Sequence, residues 1–599
     1  MSANQALQRI FDELAAGIEL LGGNSYRAAS YRRVARVLRD LSEDVEDWLS
    51  GGDRDAVSRR LTERPGIGKG AAARILEYLE TGRVAEHERL LEQVPAGVFE
   101  LLEIPGIGPK AARSLWRDLG VSSIDDLHAL LEGDALVDLP RMGKRTVENL
   151  REAIDFRAKT AQRVPIGKAM PLAAAIRERL RSIEGVSRVA LAGSLRRGVD
   201  TIGDLDLLVA SADPERVREA FLSMPEVERV LARGESKSSV RLSSGDARLQ
   251  ADLRIVPEKS WGAALLYFTG SKEHNVQLRE HAIRGGMLLN EYGLFRTGEP
   301  RPEDRVRRAG AKTPQERGEV PVAAAEEADV YRVLGLPWVP PELREDDIDP
   351  ATVPADLIEL EDVRAELHAH TTASDGKLTI RQLAEAAKAR GYHTLAITDH
   401  SVSSVIANGL SAERLRRHVE AVREEDSRIR GIRLLAGAEV DILPDGRLDY
   451  PDDVLAELDI VVASPHVSLR QSKEAATRRL LAAATHPLVH VLGHPTGRVV
   501  GRRAGLEPDL PRLFEAAAAA GTALELNANP RRLDLRDQHV RAAVAAGCVV
   551  AIDTDAHSER SFDFLPYGIA TARRAGLVRD ACINTWSRAR LDRWLRRKR

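Results

Sequence analysis

RVALAGSLRRGVDTIGDLDLLV, residues 188–209, reads as a strand, a glycine-led turn and a second strand. Asp204 and Asp206 are two residues apart on that second strand, so both carboxylates leave one face while Leu205 and Leu207 leave the other. A third acid, Asp252, sits in LQADLRIV, where Gln250, Asp252 and Arg254 share a face. Three carboxylates converging on adjacent strands repel one another unless cations lie between them. Two hard divalent ions meet that need, and Mg2+ favours oxygen ligands combined with phosphate oxygens. Such a pair, about 3.5–4 Å apart, lowers the pKa of an attacking hydroxyl and stabilises a leaving oxygen. Gly193 and Ser194 at a helix start can cradle a triphosphate through their amides, with Arg197 adding charge. An isolated Asp-x-Asp would read as charge on a solvated sheet; the preceding GSLRR and the third aspartate argue for a site.

Working outward, 599 residues exceed one hydrophobic core, so several domains are expected. A 43% hydrophobic and 30% charged composition is that of soluble globular chains and excludes disorder throughout. No apolar run reaches the roughly 18 residues needed to span a bilayer. The opening MSANQALQRIFDEL has no basic region followed by an apolar stretch, which predicts no secretory signal. Cys548 and Cys582 are the only cysteines, which excludes a disulfide framework and a cysteine-based zinc finger and fits a reducing cytoplasm. The net charge of -3 neither advertises nucleic-acid binding nor excludes it. Eleven of the 15 histidines lie at or after His368, which makes the last part of the chain a metal or acid–base suspect.

The N-terminal stretch has a helical period, with Ile10, Leu14, Ile18 and Leu21, then Tyr26, Ala29, Val34, Val37, Leu38 and Leu41. RPGIGKGAAARILEYLETG (64–82) and IPGIGPKAARSLWRDLG (104–120) are near repeats, and LPRMGKRTVENL (139–150) is a weaker third copy. Gly66 and Gly68, and Gly106 and Gly108, allow bare backbone to approach a ligand ahead of a helix. The exposed amides and the positive dipole end there suit phosphate, and Lys69, Lys110 and Lys144 add charge. These segments resemble helix-hairpin-helix motifs, which grip the sugar-phosphate backbone without reading sequence. The alternative is a plain packing corner between helices, which three copies make less attractive.

After a stretch rich in proline and charge (299–356), RAEL, LAIT, LLAGAEV, DIVVAS, VHVLGH, ALELN and VVAIDT alternate with alanine-rich helical patterns. Seven such strands predict a repeated βα unit, plausibly a barrel. Ligand-type residues follow them in LHAHTTASDG, ITDHS, GAEVDIL, ASPHVS, LGHPTGR and DTDAHS, where a barrel gathers them at one rim. Histidine, aspartate and glutamate without cysteine suit Zn2+ or Mn2+. His393, His418, His486, His490 and His539 read as core or surface residues. The basic tail RARLDRWLRRKR reads as a solvated helix end.

GSLRRG, GDLDLLV, ADLRIV, YFTGSKEHN and NEYGLF, in this order, resemble the family-X DNA polymerases. The resemblance covers roughly residues 1–345, including VYRVLGLPWVPP (330–341). It implies that Asp204, Asp206 and Asp252 are the catalytic ligands of Mg2+ or Mn2+. Gly193, Ser194 and Arg197 would hold the nucleotide triphosphate. Tyr267, Phe268 and Gly270 would press against the deoxyribose, and Asn275 and Arg279 would lie along the nascent base pair. Gly66, Gly68, Lys69, Gly106, Gly108 and Lys110 would bind DNA. Two departures stand out. Arg74 occupies the place of the lysine nucleophile of 5′-deoxyribose phosphate lyases, and a guanidinium is a poor amine nucleophile, so weak or absent lyase activity is expected by that route, with Lys69 nearby as the other candidate amine. Lys272 stands where a carboxylate is found in the animal enzyme.

The histidine-rich part, roughly residues 362–583, resembles the PHP (polymerase and histidinol phosphatase) domain. That resemblance gives a cluster of His368, His370, Asp375, His400, Glu439, His466, His494, Asp555 and His557 holding three divalent ions, Mn2+ or Zn2+, with Glu439 as a bridge. It implies a metal-dependent phosphodiesterase. Fused to a polymerase, it would act as a 3′→5′ exonuclease or 3′-end processing activity, with abasic-site cleavage as a further activity. Arg498, Asn527 and Asn529 are candidates for holding substrate phosphate or sugar.

The expected fold is thus multidomain. A helical DNA-binding domain with the first hairpin spans 1–90 and a fingers-like helical subdomain with the second spans 91–160. An α+β nucleotidyltransferase palm (161–265) and a nucleotide-selecting thumb (266–345) follow, then a linker (346–361) and a distorted (β/α)7 PHP barrel (362–599). The expected partners are gapped or primer–template DNA and deoxynucleoside triphosphates, with no membrane and a monomeric chain. Two other readings remain open: a small-molecule phosphatase decorated by a non-catalytic N-terminal region, and a non-catalytic DNA-binding scaffold. The intact aspartates and YFTG argue against the first, and the full ligand sets at both sites against the second.

Overall fold

Apolar residues three and four apart make the first helices amphipathic, and they pack on that face. In the computed structural model the described residues are 3–40, 45–49, 54–64, 66–102, 109–123, 126–127, 130, 163–244, 247–296, 314–345, 350–469, 471–501, 503 and 505–597. They fall into two compact units: 1–162 with 277–288 and 295–320, and 163–276 with 289–294 and 321–599.

The first unit is helical, beginning with Ala3–Leu20 and Ser25–Asp40. Leu7, Phe11 and Leu14 meet Tyr31, Val34 and Leu38 in one buried core, with Phe11 and Tyr31 edge to face at 5.6 Å. The second helix differs in phase from the sequence expectation. Ala28 and Tyr31 point inward, whereas Tyr26 is 86% exposed. Because this helix begins at Ser25, the buried set runs 28, 31, 34, 35, 38, leaving Tyr26 and Ala29 on the solvent side. The third hairpin copy, Gly106 and Gly108, and the Lys110 side chain lie outside the described residues.

Besides two short two-stranded pairs, β1 (Val164–Pro165) with β3 (Thr201–Ile202) and β8 (Met287–Asn290) with β9 (Gly293–Arg296), the second unit holds two larger sheets. In the first, β2 (Val186–Leu191), β4 (Asp204–Ser211), β7 (Ala247–Ile255), β6 (Lys237–Ser244) and β5 (Val227–Arg233) lie in the order 2-4-7-6-5. Only β4 and β7 run parallel; the other neighbours are antiparallel. One face is packed by helix Ile166–Arg181, through Ala169, Leu172, Ala173 and Ile176 among others. Asp213 caps the crossover helix Pro214–Leu222 with proline at its first position, an arrangement worth about 1 kcal/mol.

The second sheet is all parallel, with β10 (Ala365–Glu366), β11 (Thr394–Ile397), β12 (Arg433–Asp441), β13 (Ile460–Ser464), β14 (Val491–Leu492), β15 (Ala523–Asn527) and β16 (Val550–Asp553) in sequential order. A parallel bridge between Ala369 and Ala556 joins its first and last segments and closes the ring. The strands are buried along nearly their whole length, as parallel strands covered on both faces must be. Thr379, Ser411, Ser472 and Asp509 cap the intervening helices. Part of the expected linker docks on the barrel: Ile358 is fully buried and its amide donates to Leu577 O. Among the described residues no helix is long and apolar enough to cross a membrane.

Candidate active sites

The register of β4 and β7 sets Asp206 directly beside Asp252, and Asp204 beside Gln250. All three aspartates therefore emerge on one face of two adjacent strands. Burial, then Asp252, raises the pKa of Asp204, while burial, then Asp204 and Asp252, pushes Asp206 up to about 7. An all-oxygen donor set under mutual repulsion fits a hard divalent ion. The Lys237 ammonium lies 2.6 Å from Asp252 Oδ2, and Gln250 Nε2 donates to Oδ1 at 3.0 Å. The sequence reading missed Lys237. Its signal lies in the register, since Ser239 faces Asp252 and Lys237 shares Ser239's side of β6.

The glycine-led turn is fastened to this strand pair, because Ala192 N donates to Asp206 O at 2.8 Å. Gly193 has φ +59°, which favours glycine. Ser194 follows in the single turn Gly193–Arg196. Arg197 is not open to solvent: Nε donates to Glu345 Oε1 at 2.7 Å and Nη1 to Thr269 O. Tyr267 and Phe268 close helix Trp261–Thr269 with ring centroids 5.1 Å apart, and Arg254 stacks 4.1 Å over Phe268. Gly270 ends that helix at φ +70°, with the Arg197 guanidinium 3.1 Å from where a Cβ would stand. Asn275 Nδ2 donates to Tyr267 O at 2.6 Å. Asn275 and Arg279 are one turn apart on helix Lys272–Arg284, which Lys272 begins. Glu327 is clamped between Arg196 and the fully buried Arg344.

In the barrel all nine expected residues converge. His368 and His370 follow β10, His400 follows β11, Glu439 lies within β12, and His466, His494 and Asp555 each follow a strand end. Glu439 Oε1 lies 2.9 Å from His494 Nε2, 3.3 Å from His466 Nε2 and 3.4 Å from His368 Nε2. Its Oε2 lies 2.8 Å from His400 Nδ1 and 3.7 Å from His370 Nε2. Asp555 Oδ1 is 3.1 Å from His370 Nε2, and Asp375 Oδ2 is 3.3 Å from His557 Nε2. Three overlapping groups have metal-binding spacing: His370–Asp375–His400–His557, His368–His370–Asp555 and His400–Glu439–His466. Both ring nitrogens of His370, Nε2 of His368 and Nδ1 of His494 are buried without a hydrogen bond. Orphaned nitrogens beside carboxylates in a closed space fit divalent cations of the Zn2+ or Mn2+ type.

The electrostatics follow from that crowding. Burial would raise Glu439, but His466, His368 and His400 outweigh it and hold the carboxyl well below its usual range. Burial would lower His466, but Glu439 and Asp441 lift it to about 10. His370, desolvated and beside His557 and His400, falls to about 4. Two residues are held in left-handed backbone, His494 at φ +23° and Asp555 at φ +54°, a strain of about 1–3 kcal/mol each that surrounding structure must sustain.

A supporting layer escaped the sequence reading. Glu525 Oε1 lies 2.6 Å from His368 Nδ1, and Asp441 Oδ1 lies 2.5 Å from His466 Nδ1, which leaves Nε2 of each ring toward the cluster. His418, read as a core or surface residue, holds Asp399 at 2.8 Å. Arg532 Nε lies 3.8 Å from Asp555 Oδ2. Arg498, expected to hold substrate, instead pairs with Asp200 at 3.0 Å and donates to Leu533 O and Arg532 O. Asn527 Nδ2 donates to Asp555 Oδ2 at 3.2 Å, and Asn529 Oδ1 accepts from the Arg531 amide.

In the helical unit, Gly66 takes φ +107°, and Gly68 has no atom within 4 Å of its Cβ position, directly before helix Lys69–Thr81. Lys69 is exposed at that start. Arg74 is bound up: it pairs with Glu86 and donates to Gly70 O at 2.5 Å, while Glu86 also takes the Tyr31 hydroxyl at 2.9 Å.

Four stretches of the chain match family models. Residues 2–84 match the helix-hairpin-helix domain and 98–155 the SAM-like helix-hairpin-helix tandem. Residues 264–345 match the DNA polymerase beta thumb and 366–529 the PHP domain. The chain is 37% identical over 595 residues to the DNA polymerase/3′-5′ exonuclease PolX of Bacillus subtilis, covering 98% of both chains. It is 26% identical over 339 residues to DNA polymerase lambda of Rattus norvegicus, covering 54% of this chain and 53% of that one. Among solved structures, a ternary P/T complex of Leishmania infantum polymerase beta shares 26% identity over 42% of this chain and 98% of its own, with a TM-score of 0.35.

Proposed function

The chain belongs to the family-X DNA polymerases that carry a PHP domain, and from that premise we propose that it fills short gaps in DNA and trims 3′ ends. The reading rests above all on Asp206 and Asp252 facing each other across β4 and β7.

For synthesis, Asp204, Asp206 and Asp252 would hold two Mg2+ or Mn2+ ions. When bound, these supply the charge that acidifies a primer 3′ hydroxyl and stabilises departing pyrophosphate. Gly193 and Ser194 offer backbone amides to the triphosphate, and Arg197 offers its guanidinium. Tyr267, Phe268 and Gly270 crowd the sugar against a 2′-hydroxyl, with Asn275 and Arg279 along the new base pair. Gly66, Gly68 and Lys69 grip backbone phosphate, as do Gly106, Gly108 and Lys110, so affinity falls steeply with salt.

For degradation, His368, His370, Asp375, His400, Glu439, His466, His494, Asp555 and His557 would hold three Mn2+ or Zn2+ ions. These ions supply Lewis-acid charge for phosphodiester hydrolysis. Glu525 and Asp441 orient His368 and His466 for that task. The same site cleaves at abasic positions. The protein's expected setting is cytoplasmic DNA repair, through base excision or end joining. Lyase activity through Arg74 is absent, since that guanidinium is committed to Glu86; borohydride trapping on a 5′-deoxyribose phosphate end should give no adduct there.

Primer extension on gapped DNA, beside 3′→5′ degradation with Mn2+, tests the reading. Asp204→Ala with Asp206→Ala should abolish extension and keep degradation; His368→Ala with His370→Ala should do the reverse. If both double variants behave like the parent protein, the two-site assignment fails.

A further inference from the structure

The helix Leu565–Arg574 belongs to the barrel, yet its last turn reaches the nucleotide turn of the five-stranded sheet. Arg574 Nη1 donates to Arg197 O at 3.0 Å and to Glu345 Oε1 at 2.9 Å. That same Oε1 accepts from Arg197 Nε at 2.7 Å. One carboxylate oxygen is thus shared by two guanidiniums, one from each part. Arg574 is itself fixed by Asp537 Oδ2 at 2.9 Å. Its neighbour Arg573 holds Glu342 at 3.0 Å, next to the same segment. On the adjoining turn Arg498 holds Asp200, and a Cβ on Gly198 would stand 2.9 Å from Ala570 Cβ. The arginine side chains at this junction are only 14% and 13% exposed, so screening by water is weak.

We propose that Arg574, a barrel residue, is a positioning residue for the polymerase reaction, acting through Glu345 on Arg197. The inference rests on the reading of Arg197 as a triphosphate contact. An arginine paired to a carboxylate offers an incoming polyphosphate a partly neutralised charge and fewer open N–H groups. Arg574 draws part of the Glu345 charge to itself and pins the Arg197 carbonyl. It therefore lowers the cost of handing the Arg197 side chain to the nucleotide while keeping its backbone in place. Without Arg574, Glu345 holds Arg197 alone and nucleotide binding weakens.

The test is steady-state extension of a gapped primer–template by the full chain at varied nucleotide concentration, with exonuclease rate measured on the same preparations. Arg574→Ala should raise KM for the nucleotide about fivefold, leave kcat within about twofold and leave the exonuclease rate unchanged. Arg574→Lys, which keeps a cation on Glu345, should recover most of the loss. In a Glu345→Ala background, Arg574→Ala should no longer change KM. An unchanged KM in Arg574→Ala overturns the proposal. So does a parallel fall in extension and exonuclease rates, or an equal KM effect with and without Glu345. A parent protein that extends no primer overturns the functional reading itself, whereas one that extends while Arg574→Ala keeps its KM overturns this inference alone.

Discussion

A methyl group on Gly193 would stand 2.3 Å from Asp206 Oδ2. The turn that is to receive the triphosphate and the carboxylate that is to hold metal are therefore in direct contact. Gly193→Ala also meets a backbone at φ +59°, costing about 1–2 kcal/mol. Extension should fall at least about tenfold, with 3′→5′ degradation unchanged as the folding control. Equal extension rates in the two proteins would refute the contact.

Lys237 competes with any cation for Asp252, since its ammonium lies 2.6 Å from Oδ2. Replacing it removes a positive charge from the rim of the carboxylate group. The Mg2+ concentration giving half-maximal extension should fall about threefold in Lys237→Ala. A rise would mean that Lys237 orders the strand pair more than it opposes the ion.

Glu327 ties acid stability to the thumb segment. Burial would raise its pKa, but hydrogen bonds from Arg196 and the charge of Arg344 outweigh that and bring it down from 4.5 to about 2. A carboxyl whose folded pKa lies below its unfolded one adds stability above about pH 4.5 and loses it as pH falls toward 2. The full difference is about 3 kcal/mol. Glu327→Gln also leaves Arg344 buried without its anionic partner. The variant should lose about 3 kcal/mol in urea unfolding at pH 7, and the gap should narrow as pH drops below 4. A pH-independent gap would contradict this sign.

Eight other candidate ligands cluster with Glu439 in the barrel, so stability is expected to depend on bound cations. Chelator-treated protein should melt lower, and added Mn2+ should raise Tm progressively, because binding to the folded state alone shifts unfolding. Glu439→Gln takes away the carboxylate that lies within 3.4 Å of His368, His466 and His494, and should cancel most of that Mn2+ response. A Tm indifferent to Mn2+ in the parent protein would count against an ion cluster.

The nine barrel residues were legible because each lies in or after an apolar segment, and a parallel barrel turns all such positions to one rim. Asp204 and Asp206 were legible from two-residue alternation. Glu525 and Asp441 were not, since a carboxylate becomes a histidine's support only once the ring of strands has closed. The partner of Arg498 was hidden for a related reason: GHPTGR suggests a phosphate grip, but nothing in the local pattern announces that Asp200, almost three hundred positions earlier, lies within reach. Tyr26 failed through helix phase, which depends on where the chain enters the helix.

Glycine at 198 leaves no gap for even one carbon between the palm turn and Ala570 of the barrel. A seam this tight forbids independent tinkering. Exchanging the barrel for another would require matching changes on both banks of the seam.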